Sequence, residues 1–599
     1  MPRPFRIAPD AAAPPVRRSL LRATGPAVEK AMRLPSLNLL YTQIAAHDRS
    51  RDRHFADKAV EVMNLDLEYN TPALEAVPRE GPLVVVANHP FGGIEGVILA
   101  SLIRRVRPDV KLLANEMLAC IPELRDTFFF VDVFGEDAAT KRKNAGAVRD
   151  ALKWVDNGGA LGVFPSGAVS HLTIRQRAVA DPVWNSATAR IVQRTGATVV
   201  PVFFDGRNSN LFQVAGLVHP MLRSAMLPRE LLRRRRSRVS VVVGSPITAD
   251  RTAKLADRQQ LTNYLRVRTY LLRPGHREIP EDALPDESGY AAVNPPESPE
   301  LLAEEVAALP PSQVLLSSGD FDVLVTRRGQ MASLLREIGR LRETAFRMVG
   351  EGTGKPLDLD RFDDDYLHLI LWNRVTAEIA GSYRMGATDE ILPIHGVKGM
   401  YTSTLFDFRK KLIKQVNPAL ELGRSFVHPD YQRSFQPLQL LWKGIAAYVL
   451  QNPRYRYLVG PVSISAAYTS MSKDLLMTFL KLHRFLPSLA KQIKAKNPPR
   501  KPRARDWNSA AFSTVASDLE EVNRVVSELE ADGKPMPVLL RQYLKLNGQF
   551  LGFNVDPEFG NVLDGLVLID MPNMPALIGN RYFGKQAWPG YRQAHGQET

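Results

Sequence analysis

The run "LVVVA", Leu83 to Ala87, is apolar at every position. A strand with one face in water alternates polar and apolar residues, whereas a strand with no alternation needs cover on both faces. Five similar runs follow in the first half: "VKLLAN", "TFFFVDV", "ALGVFPSG", "TVVPVFFDG" and "RVSVVVGSPI". Helical patterns such as "KNAGAVRDALKWVDNG" and "NSATARIVQRTG" separate most of them. Strands alternating with helices predict an α/β domain with a mostly parallel sheet and helices on both faces.

The chain has 599 residues, more than one hydrophobic core holds. "RPGHREIPEDALPDESGYAAVNPPESPE", residues 273–300, is rich in Pro, Glu and Asp, lacks an apolar period and reads as a linker. The expected organisation is a basic helical segment over 1–70, a first domain over 71–272, the linker, and a second domain over 301–599. That second domain mixes strands ("YLHLILWN", "EIAGSYRMG", "ALELGRSFVHP", "YRYLVGPVSIS") with helices ("MASLLREIGRLRETAFRMVG", "PLQLLWKGIAAYVLQ"). The basic, proline-bearing residues 491–509 read as an exposed insertion in it.

Lys and Arg exceed Asp and Glu by 15. The excess favours an anionic partner: an acidic protein, an anionic lipid surface or nucleic acid. No helix-turn-helix, zinc-finger or RNA-reading motif accompanies the basic runs, so no nucleic-acid role is expected. No window approaches the ~18 apolar residues of a spanning helix, and no signal-peptide core is visible. The one cysteine, Cys120, forbids an internal disulfide and is expected to be a small buried apolar residue. No metal spacing is present.

In "VVVANHPFGGIEGVILA" the apolar strand delivers Asn88 and His89 to its C-terminal end, where open α/β sheets place their ligands. Gly92 and Gly93 allow a tight turn, and Glu95 falls in the first turn of the next helix. A His oriented by a carboxylate is a standard means of activating a hydroxyl. The alternative is a His–Glu pair that only pins the turn. "VFPSGAVS", Val163 to Ser170, supplies a second turn at a strand end, with Phe164, Pro165, Ser166 and Gly167.

The ordered blocks from Thr71 to Ile247 resemble the glycerolipid (lysophospholipid) acyltransferases, which carry an Asn-His motif, an acidic residue, a Phe-Pro-Glu-Gly-Thr-Arg-Ser-like turn and a Val-Pro-Val-like strand. The resemblance implies acyl transfer from a thioester to a hydroxyl, with His89 as base, Glu95 as its partner, and Asn88, Gly92, Gly93, Phe164, Pro165, Ser166 and Gly167 around the substrate. Ser166 stands where that family has Glu. Val169 stands where it has the Arg that holds the acceptor phosphate, and valine cannot replace a guanidinium clamp. A simple lysophosphatidate is therefore not the expected acceptor.

The second half resembles the Gcn5-related N-acyltransferases of the acyl-homoserine-lactone synthase and ornithine-lipid types, over Val314 to Asp570. The matched residues are Arg342 and Phe346, Asp360 and Asp363, Arg384, Glu421 with Arg424, and Ser425 in "GRSFVHPDY". Phe426 stands where the ornithine enzymes often have cysteine. The resemblance makes Glu421 the candidate acceptor of the amine proton, the others substrate-binding, and split-strand amides an oxyanion site. A buried Glu421–Arg424 ion pair without catalysis is an equal reading of the charges.

Together the halves resemble a bifunctional ornithine-lipid synthase. The expectation is N-acylation of an amino acid with a 3-hydroxyacyl group from acyl carrier protein, then O-acylation of that hydroxyl. Acyl carrier protein carries the thioester co-substrate, and no bound cofactor or metal is expected. The implied location is peripheral, on an anionic membrane surface at the cytoplasmic face of a bacterial inner membrane. A single-activity acyltransferase, with the other half a lipid-binding module, and a hemolysin-like membrane-perturbing protein remain as alternatives.

Overall fold

In the computed structural model, residues 3–6, 24–47, 53–132, 137–173, 178–255, 257–274, 287–500, 515–516 and 518–597 are described. Of these, 3–274 and Val515 fall in one compact unit and 287–500, Ala516 and 518–597 in another.

The first unit carries strands β1 Asp66–Tyr69, β2 Leu83–Ala87, β3 Lys111–Asn115, β4 Phe128–Val131, β5 Ala160–Val163, β6 His171–Thr173, β7 Ala178–Ala180, β8 Thr198–Phe204 and β9 Arg238–Val243. Seven form one sheet in the order β1-β9-β8-β2-β5-β3-β4. Every pairing is parallel except β8 with β9, so the sheet is mostly parallel. β2 is central and wholly buried. Its Leu83, Val85 and Ala87 share a core with the helices Leu34–Ala46, Phe55–Val62 and Ile94–Arg104. The helix Arg258–Tyr270 packs on β2 and β8 as well. Cover on both sides removes any reason for polar alternation.

The segment before residue 71 contributes more than helices, because β1 pairs with β9 at the sheet edge. The run "DLEY" does alternate polar and apolar residues, as a half-exposed edge strand does, but four residues are too few to stand out. Cys120 is half-buried, and its thiol donates to the Met117 carbonyl 3.1 Å away.

The second unit has β10 Val314–Ser318, β11 Phe321–Thr326, β12 Leu367–Asn373, β13 Glu378–Ala387, β14 Phe406–Phe408, β15 Ala419–Val427, β16 Tyr457–Ile464, β17 Ile493–Ala495, β18 Gln549–Asp556 and β19 Val562–Asp570. Its main sheet runs β10-β11-β12-β13-β15-β16-β19-β18. Only β15 and β16 pair in parallel, joined through the helix Gln436–Gln451. Their pairing covers Ala419–Glu421 against Tyr457–Val459. Beyond it β15 bonds only to β13 and β16 only to β19, so the sheet splits.

Two expected loose regions are partly built into this unit. Of the linker, residues 275–286 lie outside the described residues. The backbone amides of Ala291 and Asn294 donate to Gly354 and Pro356, and Arg336 pairs with Glu297. Of the insertion, 501–509 lie outside the described residues. Ile493–Ala495 pairs with β14, because Ile493 and Ala495 pack on the core beside Leu405 and Phe406 while Lys494 stays exposed.

Gly460 stands where the sheet splits. A Cβ there would lie 2.1 Å from the Leu422 carbonyl oxygen, a backbone atom with no freedom to rotate away. Gly460→Ala is expected to cost at least about 1–3 kcal/mol, read as a lower urea midpoint at unchanged slope.

Candidate functional site

The turn after β2 is organised by a buried carboxylate. Glu95, in the first turn of its helix, accepts from the amides of Phe91, Gly92 and Gly93 at 2.9, 2.8 and 2.9 Å. Its Oε1 also lies 2.8 Å from His89 Nδ1. The Glu95 side chain is fully enclosed, whereas that of His89 is 18% exposed. With Nδ1 turned to the carboxylate, Nε2 is the ring nitrogen left for a ligand.

The turn fits because Gly92 has φ +95° and no side chain. A Cβ there would lie 2.4 Å from Leu227 Cδ2 and 2.8 Å from Val169 Cγ2. Val169 is thus buried apolar packing on this turn, and the phosphate clamp has no counterpart at that position. Phe164 lies beside the imidazole, with ring centroids 4.7 Å apart. Pro165 is buried and its carbonyl accepts from Asn185; Gly167 is exposed with φ +62°. Ser166 donates to the Ala168 carbonyl at 2.9 Å, which shapes the turn from within.

Asn88 departs from the substrate-binding role expected of it. Its amide bonds both ways with the Phe204 backbone, at 2.9 and 2.7 Å, and joins the end of β2 to β8. It is a positioning residue. Asp181, absent from the sequence-based candidates, has a related task. It accepts from the His89 amide at 3.1 Å, the Ser170 hydroxyl at 2.5 Å and Trp184 at 2.9 Å. It follows the β6–β7 hairpin, and nothing in "AVADPVWN" marks it without coordinates.

Burial alone would lower the His89 pKa, but the Glu95 charge and hydrogen bond, with a smaller part from Asp181, raise it above its ordinary value. Burial alone would raise Glu95, but the His89 charge and the turn amides hold it down to about 2. The carboxylate beside the ring thus stabilises a proton on the imidazole, which is what a base needs once it has taken one.

In the second unit the split between β15 and β16 faces a charged cluster. Arg342 donates to Asp363 at 2.8 Å, and Arg384 donates to Asp360 at 2.5 Å and lies 3.3 Å from Asp363. Arg424 lies 3.5 Å from Asp358 and 3.7 Å from Asp360. Arg424 sits in a β-bulge with φ +48°, and a bulge re-aims its side chain. It stacks over Phe559 and Tyr401, at 4.5 and 5.1 Å to the ring centroids. Phe346 supports Phe559 at 5.1 Å, and half-buried Ser425 follows Arg424 on the bulge.

Glu421 does not match the expected proton acceptor. Its carboxylate takes the Tyr366 hydroxyl and the amides of Tyr401 and Thr402, the latter two at 3.0 and 2.7 Å. It is buried and fixes the 401–404 segment on β15. Three donors take three of the roughly four lone-pair sites of this carboxylate, and at 1% exposure it is enclosed by the segment it holds.

Other carboxyls stand at the split. Asp564, on β19 opposite Ser463 of β16, accepts that hydroxyl at 3.0 Å. Burial and nearby Asp556 push it up to about 7, against Arg424. Burial and Asp564 push Glu351 up to about 8. Glu351 follows the helix Ala332–Arg347 and backs onto the turn at Gly560, whose Cβ would lie 3.6 Å from Glu351 Cα. Raised carboxyls beside a cation are poised to exchange protons near neutrality. Their convergence from four separated segments is invisible in the sequence.

A titration tests the first pair. By NMR, His89 is expected to titrate above 6.5, and Glu95→Gln to move the midpoint below the wild-type value, since burial then acts without the opposing charge. A His89 midpoint that does not move in Glu95→Gln contradicts the pairing.

Comparison with known proteins agrees with this division. An acyltransferase family model matches residues 51–276, and an acetyltransferase (GNAT) domain model matches 341–443. The chain is 31% identical over 252 residues to a glycine N(alpha)-acyltransferase of Phocaeicola vulgatus, covering 40% of this chain and 76% of that one. It is 28% identical over 261 residues to an L-ornithine N(alpha)-acyltransferase of Rhodobacter capsulatus, covering 41% and 90%. It is also 28% identical over 203 residues to a lyso-glycine lipid O-acyltransferase of P. vulgatus, covering 31% and 68%. The chain is thus an acyltransferase of the amino-acid N(alpha)-acyltransferase family, with a second acyltransferase domain in the same sequence.

Proposed function

We propose that the protein makes a diacyl aminolipid in two steps, one in each unit. The GNAT unit joins a 3-hydroxyacyl group to the amine of an amino acid, and the N-terminal unit esterifies the 3-hydroxyl of that product. The observation that carries this reading is the His89–Glu95 pair, with Nε2 left open, in a chain that also holds a split β15–β16 strand pair.

In the first step the neutral amine attacks the thioester carbonyl, the C–N bond forms, the C–S bond breaks, and the amine proton passes to Asp564 or Glu351 and from there to the departing thiolate. Arg424 offers a cation for the amino-acid carboxylate. Once ionised, Asp556, Asp564 and Glu351 outnumber Arg424, and a second amine on the acceptor, as in ornithine or lysine, would favour that ionisation where glycine would not. In the second step His89 Nε2 takes the proton of the 3-hydroxyl as the oxygen attacks a second thioester. It returns that proton to the departing thiolate, which leaves as the thiol. Acyl carrier protein, an acidic donor for a chain with a net charge of +15, is the proposed source of both acyl groups. The product lacks phosphate, in keeping with Val169 at the clamp position. The protein acts at the cytoplasmic membrane surface, as a peripheral enzyme.

Lipid mass spectrometry of a host expressing the chain tests both steps. The intact chain is expected to give a diacyl amide lipid, and His89→Ala the monoacyl amide alone. Ester formation that survives His89→Ala rules out the second step as written. Asp564→Asn with Glu351→Gln is expected to slow N-acylation by about 10²–10⁴-fold. Wild-type N-acylation rises with pH as these carboxyls, at about 7 and 8, ionise. A flat profile from pH 6 to 9 contradicts their role. Unimpaired diacyl lipid formation with glycine as the preferred acceptor contradicts the charge argument alone.

A further inference from the structure

We propose that the helical hairpin over residues 210–233 is the surface by which the first unit docks on an anionic lipid bilayer, with its apolar tip among the lipids beside the His89 turn. The location deepens the peripheral association proposed above and rests on that reading only for which lipid is delivered.

The hairpin consists of the helices Asn210–Val218 and Pro220–Arg233, which pack on each other. They are joined at His219, whose Nδ1 accepts from the Met221 amide and starts the second helix. The first helix shows two faces. Phe212 and Gln213 are buried, and Gln213 takes the Leu172 amide at 2.9 Å. Leu211, Val214, Leu217 and Val218 recur at helical spacing on the opposite side and are exposed. Met221 and Leu222 continue this surface across the junction; Val218 is 72% and Met221 73% exposed. Six large apolar side chains within a dozen residues form a patch, unlike single exposed residues elsewhere.

The other end of the hairpin is basic. Arg229, Arg233, Arg235 and Arg236 are exposed, and the one acid between residues 209 and 238, Glu230, is buried against Ser209. An apolar tip followed by arginines with no exposed acid complements lipid tails beneath anionic headgroups. The charge selects this occupant, since a second copy would set arginines against arginines.

The same hairpin reaches the reaction centre. Leu227 packs on Gly92, and Leu231 lies 3.6 Å from where a Gly93 Cβ would stand. One pair of packed helices therefore runs from the exposed tip to the turn that holds His89. A lipid whose acyl chain stays in the bilayer need only lift its polar end to reach the imidazole.

The experiment is sedimentation of the full chain with vesicles of phosphatidylcholine, with and without phosphatidylglycerol, at low and high salt. The wild type is expected to bind the anionic vesicles more tightly, and less so at high salt. A variant with Leu217, Val218, Met221 and Leu222 all changed to Ser is expected to bind at least about tenfold more weakly. Its circular dichroism and its esterification of detergent-dispersed substrate should be unchanged. Arg229→Gln with Arg233→Gln and Arg236→Gln should reduce anionic binding to the neutral-vesicle level. Wild-type partitioning by the quadruple variant overturns the proposal. So does a wild-type dimer in ultracentrifugation that the quadruple variant converts to monomer, since the patch would then be a self-interface. Vesicle binding needs no turnover, so failure of the acyl-transfer reading would show in the lipid products while docking remained.

Discussion

One buried carboxylate holds the N-terminal site together. Glu95 gathers three consecutive backbone amides and the imidazole of His89 around one helix start. An enclosed carboxylate is costly unless fully bonded. Here the loop amides that would otherwise lack partners meet that need, aided by the positive end of the helix. The turn and the ring orientation follow from the same contact. A longer Glu side chain suits this geometry because it must fold back over the glycine turn to reach both the amides and the ring.

The second unit uses a different constraint. β15 and β16 are pressed together at Gly460 and Leu422 and then part. The parting leaves backbone groups without strand partners, and a cluster of buried ions surrounds the opening. Arg342, Arg384 and Arg424 face Asp358, Asp360 and Asp363, so that no charge of the cluster is isolated. Such a network is weak evidence for stability, since desolvation offsets most of its attraction. It does fix the positions of the side chains, including the bulged Arg424.

Much of the architecture was legible in one dimension. Uniformly apolar runs require two-sided cover, and Leu83–Ala87 lies at the sheet centre. Helical periods located the helices Ala332–Arg347 and Gln436–Gln451. Composition misjudged two segments. Residues 290–297 look like linker, yet the Tyr290 hydroxyl donates to Gly352 and the amides of Ala291, Asn294 and Glu297 donate to Gly354, Pro356 and Glu337. Ile493–Ala495 looks like a charged insertion, yet it forms a strand, because two small apolar contacts outweigh the lysine between them. Short elements whose partners lie far away in the chain span too few residues for a period to stand out.

The sequence by itself determined the fold class, the two-unit division, and the adjacency of His89, Gly92, Gly93 and Glu95, because these depend on neighbours along the chain. Tertiary structure alone decided the tasks of the other polar residues. Asn88 and Glu421 are engaged by distant backbone, Asp181 arrives behind His89 from another hairpin, and Glu351, Asp556 and Asp564 converge beside Arg424. A side chain's proton affinity depends on what surrounds it in space. That neighbourhood exists only after the strands have paired.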